Sequence, residues 1–181
     1  MNQKKSPDVL PVQAQKEIRE RLRQAGVLLQ AGRLAQADYL CHEVVQKHPQ
    51  EPQAWFCRGV IAHKRKNPAD AVHFLAHALQ LSPGNAQFLQ ALAAVHSSMK
   101  NHGAAAEAYA RLVEAHPENV DGHFNWGIAL TALHLPQDAL LSFARALALD
   151  PAHWRAALNC GLLRQALNDH VAAVHDFELV L

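Results

Sequence analysis

The segment that decides the fold is VDGHFNWGIALTALHLPQDALLSFARALALDPAH, residues 120–153. It ends just after Pro151, and working outward the same punctuation recurs at Pro49, Pro83 and Pro117. The spacings are 83 − 49 = 34, 117 − 83 = 34 and 151 − 117 = 34. A fixed period of about 34 residues is the signature of a tandem helical-hairpin array. With the proline set at position 32, the repeats are residues 18–51, 52–85, 86–119, 120–153 and an incomplete 154–181. Three further columns keep step. Position 20 is Ala37, Ala71, Ala105, Ala139 and Ala173; position 8 is Ala25, Gly59, Ala93, Gly127 and Gly161; position 24 is Cys41, Leu75, Tyr109, Phe143 and Phe177. Small residues opposite a larger apolar one are what two closely crossing helices need. A bulky residue at Ala105 or Ala139 is expected to cost ~1–3 kcal/mol by overpacking.

These columns, with Gly127, Leu130, Ala139, Phe143, Ala146 and Pro151 in register in one repeat and Trp55, Gly59, Ala71, Ala78 and Pro83 in another, resemble the tetratricopeptide repeat (TPR) family. The match is weakest in the first repeat, where Arg21 and Gln24 stand at apolar positions, and the third carries Leu112 where alanine is usual. The resemblance implies an all-α fold, a right-handed superhelical solenoid of antiparallel helix pairs. Fold alone does not assign an activity.

Composition narrows the classes. Of 181 residues, 50% are hydrophobic and the formal charge is +1, which argues against a dedicated nucleic-acid binder. The three cysteines, Cys41, Cys57 and Cys160, imply no disulfide framework, and a cytoplasmic location is expected. Residues 1–15 read as a flexible polar tail, with Lys4 and Lys5 but no apolar stretch to make a signal sequence, and residues 16–181 as the repeat array. No stretch is long and apolar enough to span a membrane. The first helix, from about Lys16, carries Lys16, Arg19, Arg23 and Glu20 on one face, read as the solvated outside of a capping repeat. Gly32 provides its turn. Asn67-Pro68, Pro136, Asn101 and Asp169 mark starts of the second helix of a pair, and each position-32 proline ends one.

No catalytic constellation is present. His42-Glu43-Val44-Val45-Gln46 lacks the second histidine of a zinc-protease motif, and its Glu43 and Gln46 are expected on an exposed face. His73 and His77 lie one turn apart without an evident third ligand, so no metal and no cofactor are expected. Thirteen histidines, with unperturbed pKa of ~6.5, raise the question of a pH-responsive surface.

The TPR resemblance places the inner, concave surface on the first helix of each pair, near positions 2, 5, 6, 9, 12 and 13. That register assigns Phe56, Val60, His63, Phe124, Asn125, Ile128, Leu158, Asn159 and Leu162 as partner-binding residues. A mostly apolar wall with a few amides suits an extended or helical peptide. Asn125 and Asn159 in successive repeats resemble the asparagine ladder of the O-linked N-acetylglucosamine transferases. The lysine and asparagine of chaperone-tail clamps are absent from positions 5 and 9. The resulting expectation is a non-catalytic protein-interaction scaffold, with protein or peptide partners and neither nucleic acid nor membrane. The alternative is the recruitment module of a larger glycosyl- or sulfotransferase cut at Leu181. Val174, Phe177, Val180 and Leu181 form an apolar edge expected to support self-association.

Overall fold

The computed structural model describes residues 11–179, and among these it contains ten α-helices. They are α1 (Val12–Gln30), α2 (Leu34–Lys47), α3 (Pro52–Lys64), α4 (Pro68–Leu81), α5 (Ala86–Ser98), α6 (His102–Ala115), α7 (Val120–Ala132), α8 (Pro136–Leu149), α9 (Trp154–Ala166) and α10 (His170–Glu178). Two helices fall in each 34-residue period, as the proline frame requires. The chain divides into two compact units, Met1–Leu81 and Ser82–Leu181. In the first, α1 packs on α2, α2 on α3 and α3 on α4; in the second, each helix from α5 to α10 packs on the next.

The repeated columns make the helix–helix contacts. Ala37, Ala71, Ala105 and Ala139 are fully buried and Ala173 is 3% exposed. Position 8 is small because the position-24 side chain lies across it. A methyl group on Gly127 would stand 2.5 Å from Cε1 of Phe143, and one on Gly161 would run into the Phe177 ring in the same way. Phe143 anchors a core of Leu130, Ala139, Ala146, Ala156 and Cys160, joining three consecutive helices. In the first unit, Val44 and Val45 of α2 meet Ile18 and Ala54 in the same manner.

Both kinds of turn follow from backbone chemistry. The position-32 proline is the second residue of a turn in which the residue two places after it donates to the residue before it: Glu51 N–H to His48 O, Asn119 N–H to His116 O and His153 N–H to Asp150 O. Proline's fixed φ suits that place in a type I turn. The next helix is then capped by a side chain: Asn85 Oδ1 accepts from Phe88 N–H at 3.2 Å, Asn119 Oδ1 from Gly122 N–H at 2.7 Å, and His153 Nδ1 from Ala156 N–H at 3.1 Å. Within each pair the chain turns through one left-handed residue, always at position 15: Gly32, Lys66, Lys100, His134 and Asn168, with φ from 57° to 72°. Each is closed by a six-to-one bond onto the preceding helix, for example Asn67 N–H to Ala62 O at 3.0 Å and Leu135 N–H to Leu130 O at 3.0 Å. This is the Schellman arrangement. Glycine was the expected turn residue at Gly32, yet other residue types hold the same conformation at the remaining four corners.

Two expectations change. Helix α1 starts at Val12 rather than near Lys16, because Pro11 serves as its N-cap and its carbonyl accepts from Gln15 N–H. The tail assignment for residues 1–10 lies outside the described residues. Glu43 is not on a free outer face: it is half-buried and ion-paired with Arg21, which accounts for arginine at an apolar position of the first repeat. Gln46 is exposed as expected.

Candidate functional site

In the first unit, the first-helix candidates are on α3. Phe56 is 8% exposed and belongs to the core, so it is not available to a partner. Position 5 serves packing here because the ring is taken up in the buried interior of the unit. Val60 and His63 are half-buried. Next to them is a cluster that the sequence did not single out. Asp38 of α2 receives Arg58 Nε at 3.1 Å and Arg65 Nη1 at 3.0 Å, and the Arg58 guanidinium lies 4.2 Å over the Phe74 ring. These groups surround a cavity of about 80 Å³, too small for a ligand, and tie three helices together. The His73/His77 pair does not converge on an ion: His77 packs its ring 4.2 Å from Trp55, while His73 is exposed beside Phe74. Among the described residues no group of three or more His, Cys, Asp or Glu side chains is placed to hold a metal ion.

In the second unit the candidates lie on α7 and α9. Phe124 is half-buried, its ring 5.8 Å from Phe143 and 4.8 Å from His153, so one face of it is committed to packing. Leu158 is half-buried as well. Ile128 and Leu162, at position 9 of successive repeats, are 40% and 51% exposed. One turn earlier, at position 6, stand half-buried Asn125 and Asn159. Asn159 Nδ2 donates to Arg155 O at 2.7 Å, which leaves its carbonyl oxygen to accept. The structure thus gives α7 and α9 the same pair in the same register, an exposed branched aliphatic beside an amide. On α5, the equivalent positions 6 and 9 are Ala91 and Ala94, so the pair is absent there.

The remaining surfaces are more ordinary. On α1, Arg23 donates through Nε and Nη2 to Glu20 at 2.9 and 2.8 Å, and Gln24 adds a third bond. The Arg23 bonds, then Gln24, hold the Glu20 carboxyl down at about 2. The positive charge of Arg23 on this solvated face is therefore partly neutralised by the neighbouring Glu20. At the other end, Phe177 is turned inward over Gly161, while Val174 is 57% exposed; Val180 and Leu181 lie outside the described residues. Asp176 is buried and ion-paired with Arg164 at 2.5 Å. No helix among the described residues is long and apolar enough to cross a membrane.

Comparison with known proteins follows the geometry. Tetratricopeptide repeat profiles match residues 22–86 and 62–123, which together run over 123 − 22 + 1 = 102 of the 181 residues. No curated protein sequence matches the chain. Among solved structures, the chain is similar to MamA (TM-score 0.83, 17% identity, covering 92% of this chain and 91% of that one). A MamA fragment from Desulfovibrio magneticus RS-1 gives TM-score 0.80 at 18% identity, covering 91% and 93% of the two chains. YrrB, described as a TPR protein with an unusual peptide-binding site, gives 0.78 at 19% identity, covering 92% and 90%. At these identities the likeness concerns the fold. The 34-residue register, the buried alanine column and the two profile matches converge: this chain belongs to the tetratricopeptide repeat family.

Proposed function

We propose that the chain is a non-catalytic interaction scaffold that binds an extended peptide or a peptide-like segment of a partner protein along α7 and α9. The observation that carries this reading is the repeated pair Asn125/Ile128 and Asn159/Leu162, in which an apolar side chain that packing leaves exposed stands one turn from an amide. An extended peptide offers one backbone donor and acceptor per residue and alternating side chains. Amides at a regular interval suit the first, and the aliphatic side chains beside them suit the second. The peptide-binding description of YrrB supports the same class of ligand. Val60 and His63 on α3 are offered as a second contact region of the first unit.

The test is a displayed library of random twelve-residue peptides panned on the full chain, with selected peptides measured by fluorescence anisotropy. The double variant Ile128→Glu/Leu162→Glu is expected to lose binding at least tenfold, and Asn125→Ala/Asn159→Ala severalfold, with the helical circular dichroism of both unchanged. Phe124 is left intact because one face of its ring packs against the core. Selected peptides that bind both folded variants as well as the parent would overturn the proposal.

A further inference from the structure

We propose that Cys41 and Cys57 form a redox-active dithiol, which a peroxide oxidises to an intramolecular disulfide joining α2 to α3. Cys41 is on α2, in the column that elsewhere holds Leu75, Tyr109, Phe143 and Phe177, and is fully buried. Cys57 is on α3, in the column of Ala91, Asn125 and Asn159, and is half-buried. The two belong to one packed cluster with Ala25, Ala37 and Ile61. Helices α2 and α3, which carry them, pack directly on each other. In no other repeat does a thiol from both sides meet at this crossing. Both cysteines are unoxidised in this structure.

The surroundings give the two sulfurs different roles. The neighbouring Cys41 thiol lowers the Cys57 pKa, against the opposing effects of burial and Glu51. The Cys57 thiol, then burial and the Asp38 charge, raises that of Cys41, with Arg58 opposing. Cys57 is the thiol that peroxide can reach, because it is half-buried while Cys41 is fully buried. The thiolate is the nucleophile in such chemistry. The Cys57 thiolate attacks one peroxide oxygen, the O–O bond breaks, and Cys57 sulfenic acid and hydroxide form; the hydroxide takes up a proton to become water. The Cys41 sulfur then attacks the Cys57 sulfur, the S–O bond breaks, and a second water leaves with the Cys41 proton. Two thiols and one hydrogen peroxide give one disulfide and two waters, with the two sulfurs oxidised and the two peroxide oxygens reduced. Cys160 lies in the second unit, buried on α9, and burial, with the Asp176 charge adding and Arg164 opposing, pushes its thiol up to about 11. It is an internal control.

The experiment treats the reduced full chain with hydrogen peroxide, blocks remaining thiols with a maleimide under denaturing conditions, and maps tryptic peptides by mass spectrometry. The expected product links residues 34–47 to residues 48–58 with the loss of two hydrogens, leaves Cys160 blocked, and is reversed by dithiothreitol. Cys160→Ser forms the same link, and Cys41→Ser arrests at a Cys57 sulfenic acid that dimedone traps. The oxidised chain is expected to melt at a higher temperature, because the link shortens the unfolded chain's freedom. Cys41 recovered blocked while Cys57 is oxidised to sulfinic acid would overturn the proposal. So would a link to Cys160 or to a second chain, and a linked product that melts lower than the reduced chain would show that native packing cannot accommodate the bond.

Discussion

Adding one methyl group at Gly127 tests the central packing rule of the array. A Cβ there would lie 2.5, 2.7 and 2.8 Å from three atoms of the Phe143 ring. Relaxed carbon–carbon contacts are at ~3.5–4.0 Å, so the ring would have to retreat by about 1 Å. It has nowhere to go: Phe143 is fully buried, with Leu130, Ala139, Ala146, Ala156 and Cys160 around it. Overpacking of this kind costs ~1–3 kcal/mol, while alanine in a helix interior gains ~1 kcal/mol over glycine. The net expectation for Gly127→Ala is a loss of ~0–2 kcal/mol, the difference of the two. Gly26, inside α1, has nothing within 4 Å of the same added atom. Gly26→Ala therefore keeps the ~1 kcal/mol gain without the strain, and the two variants should differ by ~1–3 kcal/mol, the overpacking alone. Urea unfolding followed by helical circular dichroism measures both. A double-mutant cycle with Phe143→Val then assigns the strain to the ring, because Gly127→Ala should become stabilising once the ring is gone. Gly127→Ala as stabilising as Gly26→Ala, or just as costly in the Phe143→Val background as in the parent, would refute the reasoning.

Four further outcomes follow from the structure. Asn119→Ala removes the acceptor for Gly122 N–H at the start of α7 and should cost ~1 kcal/mol in the same urea assay. Lys100→Gly should stabilise by ~1 kcal/mol, since a non-glycine residue held at φ 57° carries ~1–2 kcal/mol of left-handed strain, partly offset by the greater unfolded freedom of glycine. His96 on α5 has its pKa lowered by burial, opposed by Glu107. As pH falls below the unfolded value of 6.5, the unfolded state binds the proton first, so stability should drop through that window and level off below the depressed folded value. Melting curves of the parent and His96→Gln from about pH 7.5 to 5 check this, with the variant falling less steeply. Arg58→Met should lower the melting temperature of the first unit, because it leaves the Asp38 carboxylate with Arg65 alone and removes the stacking over Phe74.

The array was legible because its constraints recur. Ala37 alone says little, but alanine at five positions 34 apart states a close crossing, and all five are buried. Caps such as Asn101 and Asp169 were legible for a similar reason, each being an acceptor one residue before a helix and bonded three residues on. What escaped was particular to one repeat or independent of side-chain type. Asp38, Arg58 and Arg65 meet in the first unit alone, so no column advertises them. The left-handed residues Lys66, Lys100 and His134 carry no glycine signal, because the six-to-one backbone bond fixes them. Phe56 shows the limit of register as a guide to a binding face. Its column was assigned to the partner, but a ring that large at position 5 is consumed by the core of its own unit. Ile128 and Leu162, one turn further along the equivalent helices, remain at the surface.

The corner closed by backbone bonds alone has a practical corollary. Lys66, Lys100, His134 and Asn168 are all exposed, and the bond that closes each corner is made without their side chains. Each is a ready attachment point, repeated at a known interval, where a fluorophore or spin label can be fixed on a rigid bend without touching the packed interior. Pairs of such labels within one unit would turn the repeat period itself into a ruler for watching the helices breathe.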